Sequence, residues 1–219
     1  MSRLTWDETG KRFYETGVDR GVLYPQNESG AYPTGYAWSG LSSVSETPSG
    51  AEETAIWADN MKYLSLLSAE EYGGSINAYY YPKEFGACNG EAELAKGVSM
   101  GQQTRTPFGL CYRTMKGNDT KGDDNGYVLH LIYNAKASPS EKEYQSVSDS
   151  PEPIEMSWEY TTTPVPVKDH KPTSILRIDS TECDPLKLKA LEDILYGATE
   201  GNGPRLPLPD EIATLMAAD

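Results

Sequence analysis

The chain has 219 residues and a net charge of −14, from 33 Asp and Glu against 19 Lys and Arg. An acidic surface of that size repels phosphate backbones, which argues against a protein that grips DNA or RNA. The mean hydropathy is −0.59, and no apolar run approaches the roughly 18 residues of a membrane-spanning helix.

Leu, Ile, Val and Phe are scarce, and with the high net charge that composition borders on disorder. The 15 Tyr and 4 Trp point the other way, because aromatic rings bury large areas and carry a polar handle suited to half-exposed sheets and subunit contacts. A thin core with a large contact surface implies that partners supply part of the stability. Met1 to Lys11 shows no basic-then-apolar pattern, so no secretory leader is expected. Cys88, Cys111 and Cys183 cannot all pair within one chain and show no ligand spacing. Reduced thiols are expected, with no cofactor and no metal.

In chain order, strands are expected at 18–24 and 37–46, separated by a long surface loop at 25–36 that reads as a partner contact. The stretch 54–67 is ambiguous. Ala55, Trp57, Asp59, Met61 and Tyr63 alternate with Thr54, Ile56, Ala58, Asn60 and Lys62, so neither face is uniformly apolar. A long strand or a bent hairpin with two mixed faces would read this way, with a helix as the competing reading. Further strands are expected at 74–81 and around Phe108, Leu110 and Tyr112, with a short helical turn near Pro82–Phe85. The polar run from Gly117 to Gly126 predicts a hairpin connection longer than a tight turn.

Tyr127, Leu129, Leu131 and Tyr133 alternate with Val128, His130 and Ile132, which predicts a central strand covered on both faces. After a second long loop at 139–153, Ile154, Met156, Trp158 and Tyr160 mark a strand with one wet face, and another is expected at 173–180. One helix is clear: Asp184 as N-cap, Pro185 at the first helical position, Gly197 after the last turn, and Leu188, Leu191, Ile194 and Leu195 as its apolar stripe. The run 201–209 is rich in Gly and Pro and reads as a linker that ends in Asp210–Met216, where Ile212, Leu215 and Met216 form a tiny apolar face; the tail from Gly201 is expected to hold too few apolar residues to anchor itself.

Nothing in this chain points to catalysis. Pairs such as Glu52-Glu53, Glu70-Glu71 and Asp123-Asp124 are expected by chance in so acidic a chain. Asp119, Asp123 and Asn125 faintly suggest calcium, but the closing bidentate Glu of a twelve-residue loop is missing. His130 and His170 share no metal-ligand spacing, and no nucleophile elbow, P-loop or dinucleotide fingerprint occurs.

Several runs, taken together and in order, resemble one family. They are YETGVDRGVLYP (14–25), SETPSGAEETAIWADNMKYLSLLSAEEYGGSINAYYYPKEF (45–85), GQQTRTPFGLCYRT (101–114) and ASPSEKEYQSVSDSPEPIEMSWEYTTTPV (137–165). They resemble the major tail protein of long-tailed, non-contractile bacteriophages and related prophages, over roughly residues 14–181.

The resemblance implies a mainly β fold of two packed antiparallel sheets, a β-sandwich with one flanking α-helix and long loops. Residues 1–181 would form the tail-tube domain with its N-terminal arm. Residues 182–219 would be a C-terminal helix and Pro-rich tail. It further implies a structural virion protein that stacks in hexameric rings, partnered by itself and by tape-measure and tail-terminator proteins. Viral DNA would pass through without specific binding. Such a protein resides in the virion tail after assembly in the host cytoplasm. Residues 51–67 and 74–81 are then expected to form the inner wall, with Glu52, Glu53 or Asp59 facing the lumen and a bend or bulge near Asp59-Asn60. The alternative is a β-sandwich that binds glycans, or decorates a virion or cell surface, through aromatic loops.

Overall fold

The structure, a computed structural model, describes residues 3–146, 149, 152–198, 201 and 203–217. In chain order the strands are β1 (Phe13–Pro25), β2 (Tyr36–Trp38), β3 (Leu41–Glu46), β4 (Ser49–Gly50), β5 (Glu53–Ala58), β6 (Met61–Leu67), β7 (Glu70–Glu71) and β8 (Gly73–Ala78). Helix α1 (Phe85–Cys88) precedes β9 (Ala92–Ala95), β10 (Val98–Met100), β11 (Phe108–Asn118), β12 (Gly122–Ala137), β13 (Met156–Thr162) and β14 (Ile175–Asp179). Helices α2 (Pro185–Tyr196) and α3 (Pro209–Met216) close the chain. The expected mainly β, antiparallel architecture is present.

Eight strands form one sheet in the order β2-β1-β11-β12-β13-β8-β3, with β14 also on β12. Strand β12 is long enough to serve two neighbours on one edge. Its Val128–Ile132 stretch pairs with β14 and its Ala135–Ala137 end pairs with β13. The sheet therefore divides at β12 into two halves, and their apolar faces meet in one core. Leu23, Leu110, Tyr112 and Ile132 from the first half pack with Ile76, Ala78, Trp158 and Tyr160 from the second. Phe85 of α1 is fully buried against the Trp38, Trp158 and Phe108 rings, with centroids 4.6, 5.1 and 5.6 Å away.

The alternation along β12 creates a second core on its other face. Leu129, Leu131 and Tyr133 pack with Tyr24, with Leu188, Leu191 and Leu195 of α2, and with Leu206 and Ile212. Strand β12 is thus covered on both faces, as its sequence predicts. Helix α2 occupies the expected span, and the Asp184 carboxylate accepts from the Leu186 and Lys187 N–H groups at 2.8 and 3.1 Å. Two further helices stand beside the one clear in the sequence: α1, which continues the helical turn expected near Pro82–Phe85, and α3 in the tail. The polar connection at 117–126 shrinks to three residues, 119–121, because β11 and β12 run on into it. The Asn118 side-chain oxygen accepts from the Thr120 and Lys121 N–H groups, which closes the turn locally.

Two loop expectations are corrected. The segment 25–36 is fastened to its own subunit: Tyr32 is buried, and Gly35 N–H donates to the Pro204 carbonyl at 2.7 Å. The C-terminal tail is anchored as well. Leu206 and Ile212 are buried, and the Tyr133 hydroxyl donates to the Pro207 carbonyl at 3.0 Å. Well-placed Leu206, Pro209 and Ile212 suffice where average composition suggested a linker. Gly109 shows how close the fit is, since a Cβ there would come within 2.3 Å of the Leu206 side chain. Replacing Leu206 by Ala should cost about 2–5 kcal/mol, read as a fall in the thermal midpoint with the transition still cooperative. Of the loop at 139–153, residues 147–148 and 150–151 lie outside the described residues.

Candidate functional site

The most unusual surface is a projecting β arm. Strands β3 and β8 pair from Ser43↔Asn77 to Glu46↔Gly74, β4 and β7 continue with Ser49↔Glu71 and Gly50↔Glu70, and β5 and β6 follow from Glu53↔Leu67 to Ile56↔Leu64. Each step outward takes one residue from each strand, so this is a single hairpin in one register, rooted in the main sheet. Thr47 N–H bonds Gly73 O at 2.8 Å, and Ser68 N–H bonds Glu52 O at 3.0 Å, which links the segments. Gly50, at φ +81°, has no space for a side chain: a Cβ would meet the Ala69 carbonyl at 2.2 Å.

The tip is a two-residue turn in which Asp59 and Asn60 have φ of +51° and +61°. Both central residues are left-handed, as a type I′ turn requires, and Asp and Asn tolerate that conformation. One irregularity follows. Ile56 pairs with Leu64 but Trp57 pairs with Lys62, which leaves Tyr63 as the extra residue of a bulge.

This geometry corrects the reading of two mixed faces. Cross-strand partners share a face. One face carries Thr54 with Leu66, Ile56 with Leu64, and Ala58 with Met61, and it holds no charge. The other carries Glu53 with Leu67, Ala55 with Ser65, and Trp57 with Lys62. The turn and bulge change the parity of β6 part-way along, so one alternating pattern drawn through 54–67 mixes the faces. Trp57, Met61 and Leu66 are 68%, 61% and 55% exposed. A hairpin so apolar on one face, and partly so on the other, has no packing partner among the described residues of its own subunit.

The three lumen candidates sit apart along this arm. Glu52 precedes β5, and its N–H donates to Ser68 Oγ at 2.9 Å. Glu53 shares the Trp57 face and is engaged by Lys62 and Ser65, which hold its carboxyl below its ordinary range. Asp59 lies at the tip, roughly 20 Å further out at ~3.3 Å per residue. Met61 lies on the face opposite Ala55 and Trp57, so those residues do not share one face with Asp59. The bulge falls at Tyr63, and the chain reverses at Asp59-Asn60.

The root of the arm is fixed by polar contacts. Glu46, the last residue of β3, is reached by Arg177 from β14 and by the Tyr112 hydroxyl from β11 at 3.0 Å. Buried His130 of β12 stacks on the Tyr112 ring, 4.6 Å between centroids, with its Nε2 2.9 Å from Thr114 Oγ1 and its Nδ1 3.5 Å from Glu46. The sequence places His130 inside an apolar alternation and gives Glu46 no role, since nothing local to β3 foretells partners on β11 and β14.

Burial pushes the His130 pKa below its ordinary 6.5. The unfolded chain then binds more protons below that pH, and stability falls as pH drops from 6.5 through the folded value. Asp19, held low by Arg113, and Glu211, held low by Arg205, add a second loss below their ordinary 3.8 and 4.5. Denaturant midpoints measured from pH 7.5 to 3 should fall in these two stages, and His130→Gln should flatten the first.

The remaining candidates serve the fold. The Asp119 carboxylate accepts from Gly10 N–H at 3.0 Å, and the Asp123 carboxylate from the Tyr14 hydroxyl at 3.1 Å. Cys88 and Cys111 are buried, and burial raises both thiols to about 12. Among the described residues, no helix is long and apolar enough to cross a membrane.

No protein-family model matches the chain, and no curated protein matches it. Among solved structures, a similar chain comes from the PVC sheath–tube complex of an extracellular contractile injection system in the extended state. It is 9% identical, with a TM-score of 0.31, over 73% of this chain and 88% of that one. A likeness that slight bears no weight on function.

Proposed function

We propose that this chain is a structural subunit that assembles with copies of itself into hexameric rings, which stack into the tail tube of a long-tailed phage. The observation that carries the reading is the β5–β6 arm, whose apolar faces find no cover in the subunit. Its seven apolar side chains, Ile56, Trp57, Met61, Tyr63, Leu64, Leu66 and Leu67, are all exposed. Contiguous exposed apolar side chains of this kind mark interaction sites, so the arm calls for a partner. The resemblance of the ordered sequence segments to major tail proteins suggests the architecture. Tape-measure and terminator proteins would be its other partners, the virion tail its location, and no catalysis enters the reading.

A conduit for DNA must not bind phosphates, and a net charge of −14 suits that task. Glu52 and Asp59 make no ion pair among the described residues and remain the better lumen candidates, whereas Glu53 is engaged by Lys62. Electron microscopy and light scattering of the concentrated protein test the reading. Sixfold rings or tubes are expected, and a monomer at every concentration would refute it.

A further inference from the structure

A second unpartnered apolar feature lies at the other end of the arm's own strand. A cleft of about 900 Å³ opens between Tyr80 and Tyr81, α1 and the β9–β10 hairpin, with Ala87, Ala92 and Val98 in its lining. Most of its charges are already paired. Lys83 bonds Glu93 at 2.6 Å, and Lys142 sits 3.5 Å from Glu91 while lying over the Tyr81 ring. Glu84 is the lining carboxylate without an ion-pair partner among the described residues.

The arm leaves β8 at Gly73, and β8 ends at Ala78, two residues before Tyr80. Arm and cleft thus lie at opposite ends of one strand, and the arm runs outward from the far end. An arm cannot reach the cleft of its own subunit. If it enters the cleft of another copy, the pair keeps one free cleft on the first subunit and one free arm on the second. That is a heterologous contact, which propagates into a ring or filament, whereas arm-to-arm pairing would stop at a dimer.

We propose that the uncharged Ile56–Leu64–Leu66 face of one subunit's arm seats in the Tyr80–Val98 cleft of the next copy. The proposal rests on the self-assembly reading above and names the contact that would carry it. The face brings no charge into the cleft, and Glu53, on the opposite face, keeps its Lys62 partner. Ile56, Leu64, Leu66 and Met61 of that face are all exposed in the subunit, so the contact would cover apolar surface that the subunit itself leaves open, against a cleft whose lining charges are mostly paired already.

The test places Leu64→Cys and Val98→Cys in one chain with Cys183→Ser, leaving only the buried native thiols. Oxidation under assembling conditions should give a covalent ladder of many chains, and each single-cysteine chain should give nothing beyond dimers. Rings or tubes without a ladder would overturn the docking and leave self-assembly standing. A wild-type chain that stays monomeric throughout would overturn the self-assembly reading and the docking with it. Val98→Arg gives an independent check. It should abolish assembly of a subunit with an unchanged melting temperature, and wild-type assembly by that variant would overturn the docking.

Discussion

A subunit carrying Leu64→Asp and Leu66→Asp should fold normally and fail to assemble. Both side chains are exposed in the subunit, and exposed substitutions usually move stability by no more than ~0.5 kcal/mol. In an assembly they would be buried, where a Leu contributes about 1.5–3 kcal/mol. Because Leu64 and Leu66 are 38% and 55% exposed, together about one such term is lost, and with two carboxylates placed in the contact association should weaken on the order of 10- to 100-fold or more. Sedimentation of the variant beside the wild type, with thermal melts of both, separates assembly from folding. A melting temperature that falls as far as assembly does would mean that the arm serves the subunit's own fold.

The largest effect on the subunit itself is expected at Trp158. Its ring is fully buried, with Trp38, Tyr81 and Phe85 at centroid distances of 5.9, 5.3 and 5.1 Å. It joins β13 to α1 and β2, the elements that close one end of the core. Trp158→Ala leaves a cavity among rings that cannot collapse, at a cost of about 3–5 kcal/mol. For a chain of this size that lowers the thermal midpoint by about 10 °C or more. A shift of a degree or two would show that the aromatic cluster is not central to the core.

What the sequence revealed and what it hid follow from the range of the interactions. Helix α2 was legible because its signals are local: a cap, a proline and a glycine frame one leucine stripe. The β12 strand was legible because both faces are apolar over seven residues. The arm was half legible. Its composition marked 54–67 as unusual, but the reversal at Asp59-Asn60 and the bulge at Tyr63 shift the alternation within one strand, and a single period cannot represent that. The anchored tail was missed because average composition does not reveal that Leu206 meets Gly109 from across the fold. Glu46 was missed for the same reason, with its partners on β11 and β14 far along the chain. The candidate carboxylates Glu52, Glu53 and Asp59 could be named from the sequence, whereas their separation along the arm needed the three-dimensional structure.

Hydrogen exchange across residues 53–67, compared between free subunits and assembled particles, tests the central claim most directly. The arm is a two-stranded ladder open to water on both faces, so its amides should exchange quickly in the free subunit and slow by orders of magnitude once assembled. An arm that exchanges equally fast in both states would contradict the claim that it is the element through which the subunits join.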